Sequence, residues 1–289
     1  MVYHVQFPGL GLDLTVNRVA LAIGGFNIYW YGVIIAAGML LAMLYAFRNA
    51  VDYGIDSDRL VDVVAIGTVM AIVCARIYYV AMAPFAYQSL WEMIDIRKGG
   101  IAIYGAVIGA FVFGALAAKW RKVPLLPLFD LVSLGFLIGQ GIGRWGNFFN
   151  CEAFGGYTDN LFAMRIKESI VNPSMISTGL LEHEIVENGV KYIQVHPTFL
   201  YESCWNLCVL GFMLWYRKKK KFDGEMLWIY FLGYGLGRVW IEGLRTDQLK
   251  VPGTTLAVSQ LLSAALVGAA VGILHYKHSK LRKQKQENQ

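Results

Sequence analysis

The stretch Leu-Leu-Pro-Leu-Phe-Asp-Leu-Val-Ser-Leu-Gly-Phe-Leu-Ile-Gly-Gln-Gly-Ile-Gly, residues 125–143, runs directly into Arg144 and decides the fold class. Asp130 is its one charge. Its length is close to the roughly 20 apolar residues that cross a hydrocarbon core as a helix. Six further stretches read the same way: Val19–Phe47, Leu60–Met82, Gly99–Ala118, Pro197–Tyr216, Glu225–Leu244 and Thr254–Tyr276. The expectation is an all-α, polytopic membrane protein with about seven transmembrane helices. Composition agrees. Of 289 residues 56% are hydrophobic and 16% charged, against about 45–50% and about 25% in soluble domains. Mean hydropathy is +0.47. A disordered chain, a collagen-like repeat, a disulfide scaffold and most soluble enzymes are excluded.

The formal net charge is +6. In a soluble protein that balance would suggest nucleic acid. Here the basic residues lie between apolar stretches, so they read as topology signals and no nucleic-acid partner is expected. One set of connections holds Arg48 and Arg59, then Lys119, Arg121 and Lys122, then Arg217 to Lys221, and finally the tail from Lys277 to Lys285. The opposite set is poorer: Arg18, then Arg97 and Lys98, then Arg165, Lys167 and Lys191, then Arg245 and Lys250. The positive-inside rule puts the N-terminus outside and the C-terminus in the cytoplasm. Residues 1–289 then form a single integral membrane domain, with 147–195 an extracytoplasmic loop or small head and 277–289 a basic cytoplasmic tail. Met1–Leu14 has no basic n-region before an apolar core, so no cleavable signal peptide is expected. Cys74, Cys151, Cys204 and Cys208 form no CxxC pair or zinc-type spacing, and no metal is expected.

Ionisable side chains inside a bilayer are costly and mark function by default. With this orientation Tyr31, Arg76, Tyr104, Arg144, Asn147, His196, Glu202, Tyr234, Arg238 and Glu242 all fall near the outer leaflet, while Asp62 and Asp130 lie inward. Tyr234, Arg238 and Glu242 share one helix face at i, i+4 and i+8. The structural alternative is a helix-gluing ion pair between Arg238 and Glu242. That leaves Arg144, which has no acid close by on its own helix. Two arginines facing one cavity repel unless an anion sits between them, and guanidinium groups bind phosphate bidentately. The run Gly141-Ile-Gly-Arg-Trp-Gly-Asn147 is glycine-dense enough to break or tighten a helix and admit a ligand near the backbone. Gly105 and Gly109 form a GxxxG pair, which reads as close helix packing. Tyr104, Tyr29, Trp30 and Tyr31 also suit an interfacial aromatic belt. His196 suits a helix entry, with Pro197 at the first helical position. The convergence at one depth favours a site for a lipid head group or an exported substrate. An anion transporter would place its charges at the midplane of an inverted repeat. An intramembrane protease would need a G-x-S-x-G or paired-Asp motif that the sequence lacks. A structural subunit leaves the clustered arginines unexplained.

Gly143-Arg-Trp-Gly-Asn-Phe-Phe-Asn-Cys-Glu-Ala-Phe-Gly155 resembles the signature G-R-x-G-N-F-x-N-x-E-x-x-G of the bacterial prolipoprotein diacylglyceryl transferases. Trp30-Tyr-Gly32, Gly99-Gly100, His196-Pro-Thr198 through Glu202, and Tyr234-Gly-Leu-Gly-Arg238 through Glu242 and Arg245 extend the resemblance over nearly the whole chain. It implies seven spans in the bacterial cytoplasmic membrane and an active site facing the outer leaflet. The implied reaction moves the diacylglyceryl group of phosphatidylglycerol to the lipobox cysteine thiol of a prolipoprotein signal peptide and releases glycerol 1-phosphate, without a cofactor. Arg144, Asn147, Glu152, Arg238, Tyr31, Tyr234, Glu242 and Arg245 fall on the family's site positions. Gly155 belongs to the signature, and Glu202 is a supporting residue. One departure stands out: many members carry His where this chain has Tyr104. The base that takes the thiol proton is therefore Tyr104, His196 or Glu202. Arg144 and Arg238 are the expected cations for the leaving phosphate.

Overall fold

A computed structural model describes residues 2–85, 87–96 and 99–288. The expected outer charges Arg97 and Lys98 lie outside the described residues, as do the two terminal residues. The order of elements is β1 (Val2–Phe7), β2 (Leu12–Asn17), β3 (Val19–Ile23), β4 (Phe26–Tyr29), α1 (Trp30–Asn49), α2 (Ser57–Ala81), α3 (Leu90–Ile94), α4 (Ile103–Trp120) and α5 (Leu125–Asn150). There follow β5 (Met164–Lys167), α6 (Thr178–Leu181), β6 (Ile185–Glu187), β7 (Val190–Val195), α7 (Thr198–Tyr216), α8 (Glu225–Leu244) and α9 (Val258–Glu287). Helix dominates, but the chain is not all-α. Five helices, α1, α2, α4, α5 and α9, are long and apolar enough to cross a membrane. Among the described residues α7 and α8 match the expected fifth and sixth stretches in length but carry polar groups, including Glu202, Ser203 and Asn206 on α7 and Arg238 and Glu242 on α8.

The chain divides into two compact units, residues 1–44 with 132–289, and residues 45–131; α1 and α5 are split between them. In the second unit α2 packs on α4. A methyl group on Gly109 would lie 2.6 Å from the Cys74 Cβ, and one on Gly105 would meet the Tyr78 Cβ at 2.6 Å. The GxxxG pair is thus a packing seam, as expected. Asp62 on α2 pairs with Arg121 at 2.6 Å just beyond α4. Arg76 spends its donors on backbone carbonyls: Met93 at 2.8 Å, Glu92 at 2.7 Å, and Gly99 and Gly100 at 2.9 and 2.8 Å. Both glycines have positive φ, +87° and +81°, a conformation that only glycine adopts at little cost.

In the first unit an antiparallel sheet runs β2-β1-β5-β7-β6. It is the departure from the expected all-α fold. In β1 Tyr3, Val5 and Phe7 are buried while Val2, His4 and Gln6 face outward or lie at the rim, the period of two that a half-buried strand requires. The polar stretch 147–195 supplies β5, β6 and β7. Tyr3, Val5 and Phe7 pack with Phe148, Phe154, Ile166, Ile193, Val195 and Phe199 in one core. The first span also begins later than Val19. Residues 19–29 form the hairpin β3–β4, turning on Gly24 and Gly25 with φ of +56° and +85°, and the helix starts at Trp30. Two consecutive residues at positive φ are what a type I′ turn needs. The basic tail is helical as a continuation of α9 through Glu287.

Candidate active site

Arg144 sits near the end of α5, Glu202 in the first turns of α7, and Arg238 and Glu242 one turn apart on α8. Their side chains converge in the first unit. Arg144 Nε forms an ion pair with Glu202 Oε2 at 2.6 Å. Arg238 donates through one terminal nitrogen to Glu202 Oε1 at 2.5 Å, and its other terminal nitrogen forms an ion pair with Glu242 Oε2 at 2.5 Å. Glu202 and Glu242 are 4% and 5% exposed. The anion expected between the two arginines is thus, here, a carboxylate of the chain itself. Sequence reasoning assigned Glu242 alone to Arg238 and found no partner for Glu202. The missing partner, Arg144, comes from another helix, and no spacing rule along one helix could expose it. Arg144 remains 21% exposed and makes no other hydrogen bond or ion pair among the described residues, so both its terminal nitrogens are unused. Arg238, by contrast, spends both terminal nitrogens on carboxylates.

The glycines of α5 do not break the helix, contrary to expectation; it continues unbroken to Asn150. They admit neighbours instead. A methyl group on Gly143 would lie 3.2 Å from Ile35, one on Gly146 would lie 2.9 Å from the Tyr31 ring, and one on Gly141 would meet Leu207 at 3.3 Å. Tyr31 on α1 is thereby laid against the turn that carries Asn147. Trp145 Nε1 donates to Ser203 Oγ at 3.1 Å, and that hydroxyl donates to the Gly141 carbonyl at 2.8 Å, tying α7 to α5 beside the arginines.

Beyond Asn150 the chain turns sharply through Cys151 and Ala153, both at positive φ, +51° and +56°. Glu152 Oε1 accepts from Asn147 Nδ2 at 3.0 Å and from Asn150 Nδ2 at 3.3 Å. Gly155 donates its N–H to the His196 carbonyl at 2.9 Å, His196 returns one to Gly156 at 3.0 Å, and Gly156 reaches the Leu244 carbonyl at 2.9 Å. A methyl group on Gly155 would lie 2.7 Å from His196 Cβ and 2.8 Å from the Leu244 oxygen, which explains glycine there. Arg245, where α8 ends, holds Asp247 through two hydrogen bonds of 2.9 and 2.8 Å and stands 3.9 Å from Glu242. Burial alone would push the Asp247 carboxyl up, but the hydrogen bonds and charge of Arg245 hold it below the ordinary carboxylate range. Asp247 escaped the sequence reading because nothing in its local spacing marks it.

His196 makes no hydrogen bond or ion pair with the arginine cluster among the described residues. Its Nδ1 lies 3.3 Å from the Tyr201 hydroxyl, which accepts from Asn160 Nδ2 at 3.0 Å. Burial holds its imidazole below the ordinary histidine range, so it is neutral at pH 7. Pro197 is the residue before α7, not its first helical residue. Tyr234 stacks on Tyr230 at 5.5 Å, one turn ahead of Arg238. Tyr104 belongs to the second unit, exposed at the start of α4 with its ring 6.3 Å from that of Tyr78. Among the described residues no group of three or more His, Cys, Asp or Glu side chains is arranged to hold a metal.

Chemically, the cluster presents two guanidinium groups from different helices to one point, one of them with unused donors. The sequence profile of the family described as Prolipoprotein diacylglyceryl transferase matches residues 18–276. The chain is 40% identical over 260 residues to phosphatidylglycerol--prolipoprotein diacylglyceryl transferase 1 of Clostridium perfringens (strain 13 / Type A), covering 89% of this chain and 92% of that one. It is 40% identical over 261 residues to the phosphatidylglycerol--prolipoprotein diacylglyceryl transferase of Bacillus cereus (strain 03BB102), with coverages of 89% and 91%. It is 41% identical over 261 residues to that of Bacillus anthracis, with the same coverages.

Proposed function

The chain belongs to the prolipoprotein diacylglyceryl transferase family, and from that premise we propose how its own residues carry the transfer of the diacylglyceryl group from phosphatidylglycerol to a prolipoprotein. The acceptor is the thiol of the lipobox cysteine in the signal peptide. Its thiolate attacks the glycerol methylene carbon esterified to phosphate. The C–S bond forms, the C–O bond to phosphate breaks, glycerol 1-phosphate leaves with the bonding electrons, and the thiol proton passes to a base. Negative charge grows on the leaving phosphate, so cations aimed at it lower the barrier.

The observation that carries this reading is the Glu202 carboxylate held between Arg144 and Arg238, with the terminal nitrogens of Arg144 free. A phosphate entering there meets donors already oriented by a buried carboxylate. Glu242 keeps Arg238 aimed at the same point. Asn147, steadied by Glu152, offers hydrogen bonding to the head group, with Tyr31 and Tyr234 beside it; Arg245 with Asp247 and Gly155 hold the surrounding loops. The same electropositive surroundings favour the thiolate of the incoming cysteine, whose free pKa is about 8.5. His196, neutral at pH 7, and Tyr104 are the side chains open to take the proton; Glu202 has both oxygens engaged by arginines. The enzyme is proposed to span the bacterial cytoplasmic membrane seven times, with its N-terminus, the sheet and this site outside and its C-terminus inside.

The test is to incubate the purified protein with phosphatidylglycerol and a lipobox peptide and follow the peptide mass. The peptide should gain one diacylglyceryl group. Arg144→Ala or Arg238→Ala should abolish the gain while the protein still inserts and folds; near-normal transfer by either variant would overturn the phosphate clamp. Tyr104→Phe should slow the reaction by about 10²–10⁴ if that hydroxyl is the base, and an unchanged rate assigns the proton to His196. In that case the rate should fall as pH drops through a value below about 6.5, because protonated imidazole cannot accept a proton.

A further inference from the structure

The last four carbonyls of a helix have no partner within it and must be satisfied from outside. In α5 those carbonyls belong to Asn147, Phe148, Phe149 and Asn150, the segment that carries the head-group residues. The first two are closed by the turn itself: Glu152 N–H donates to the Asn147 carbonyl at 3.1 Å and Cys151 N–H to the Phe148 carbonyl at 3.1 Å. The other two are closed by residues more than a hundred positions away. The Tyr3 hydroxyl on β1 donates to the Phe149 carbonyl. Arg18, which follows β2, donates to the Asn150 carbonyl at 2.5 Å and to the Ile170 carbonyl at 3.4 Å. The Arg18 guanidinium also stands 5.6 Å from the centre of the Tyr3 ring. A cation at a helix C-terminus complements the helix dipole as well as the carbonyl.

We propose that Tyr3 and Arg18 are positioning residues for the transfer reaction: by capping the last turn of α5 they fix the exit of the chain into Cys151–Ala153 and so hold the Asn147–Glu152 pair in register with the phosphatidylglycerol head group. The proposal rests on the assignment of Asn147 and Glu152 to that site. Two observations support a role beyond general packing. The contacts are polar and fall on the two carbonyls that the turn leaves open. The turn they brace is conformationally strained, with Cys151 and Ala153 at positive φ, so it depends on what surrounds it. Tyr3 precedes the first residue of the family match and Arg18 is that residue.

The experiment is a double-mutant cycle on the full-length enzyme reconstituted with phosphatidylglycerol and a lipobox peptide. Tyr3→Phe removes one oxygen and keeps the ring in the core. Arg18→Lys keeps the charge and loses the planar donor. Each should lower kcat/KM for phosphatidylglycerol by about tenfold, the order of one buried hydrogen bond, while the KM for the peptide stays unchanged. In an Asn147→Ala background the same substitutions should have no further effect. Val5→Ala, which weakens the same core without touching a carbonyl, should lower the melting temperature and leave KM unchanged. Additive losses in the Asn147→Ala background, or a Val5→Ala variant with the same kinetic defect, would overturn the positioning role alone. An Asn147→Ala enzyme with wild-type kinetics would overturn the head-group assignment itself, and the positioning role with it.

Discussion

Glu202 shows how differently a residue reads in sequence and in space. In sequence it is an acid inside an apolar helix with nothing nearby to pair with. In the fold each of its oxygens meets a different arginine. Removing one member of a buried ionic group leaves the others uncompensated, at a cost of about 3–5 kcal/mol. Glu202→Gln is therefore expected to lower the unfolding free energy by about 3 kcal/mol and to leave Arg144 and Arg238 in mutual repulsion, which chemical denaturation of the purified protein would measure. Glu242→Gln should cost less, because Arg238 keeps Glu202. Cys151 gives a second test. Burial pushes its thiol up to about 11, so it stays protonated at pH 8, and a thiol-alkylating reagent should leave it unmodified in the native enzyme and label it only after denaturation. The arginines and Glu242 were legible as candidates because charge inside an apolar stretch is costly. The exchange of partners among them was not, since it depends on which helices adjoin.

At the level of elements, the seven apolar stretches reappear as helices within a few residues at most ends, because length and apolarity leave a chain few alternatives. The exceptions have physical causes. Residues 19–29 are as apolar as a span but contain Gly24-Gly25, whose left-handed backbone makes a hairpin. The glycines of residues 141–146 looked like a helix break, yet a helix tolerates them where neighbouring side chains fill the space, here Tyr31, Ile35 and Leu207. Gly155 is the case where the missing side chain matters most: it lies between His196 and the end of α8. Gly155→Ala should force these segments apart and cost about 1–3 kcal/mol. Thermal unfolding should report the loss, with transfer activity falling further than stability because Asn147–Glu152 and Arg245 are both anchored to that junction.

For the whole molecule, the orientation proposed from charge asymmetry can be tested directly. In a background with Cys204 and Cys208 replaced by serine, a membrane-impermeant thiol reagent should label Asn172→Cys in intact spheroplasts and Lys219→Cys only after permeabilisation; the reverse pattern would invert the proposed topology. The sheet was the least legible part of the molecule. Its alternation in Val2–Phe7 is only six residues long, and its partners are far along the chain. That distance governs how the enzyme comes into being. Val5 pairs with Ile166, and β5 is in turn flanked by β7, which ends at Val195. Contacts so remote in sequence form slowly, because a long loop must close before they are made. The first strand must wait, unpaired on one side, until β5 (Met164–Lys167) has left the ribosome, and only then can the sheet that adjoins the last turn of α5 close. A nascent chain interrupted before β7 would hold the Arg144 helix in the membrane and still lack Glu202, Arg238 and Glu242, which follow on α7 and α8, so the sheet is closed before the arginine cluster can be assembled.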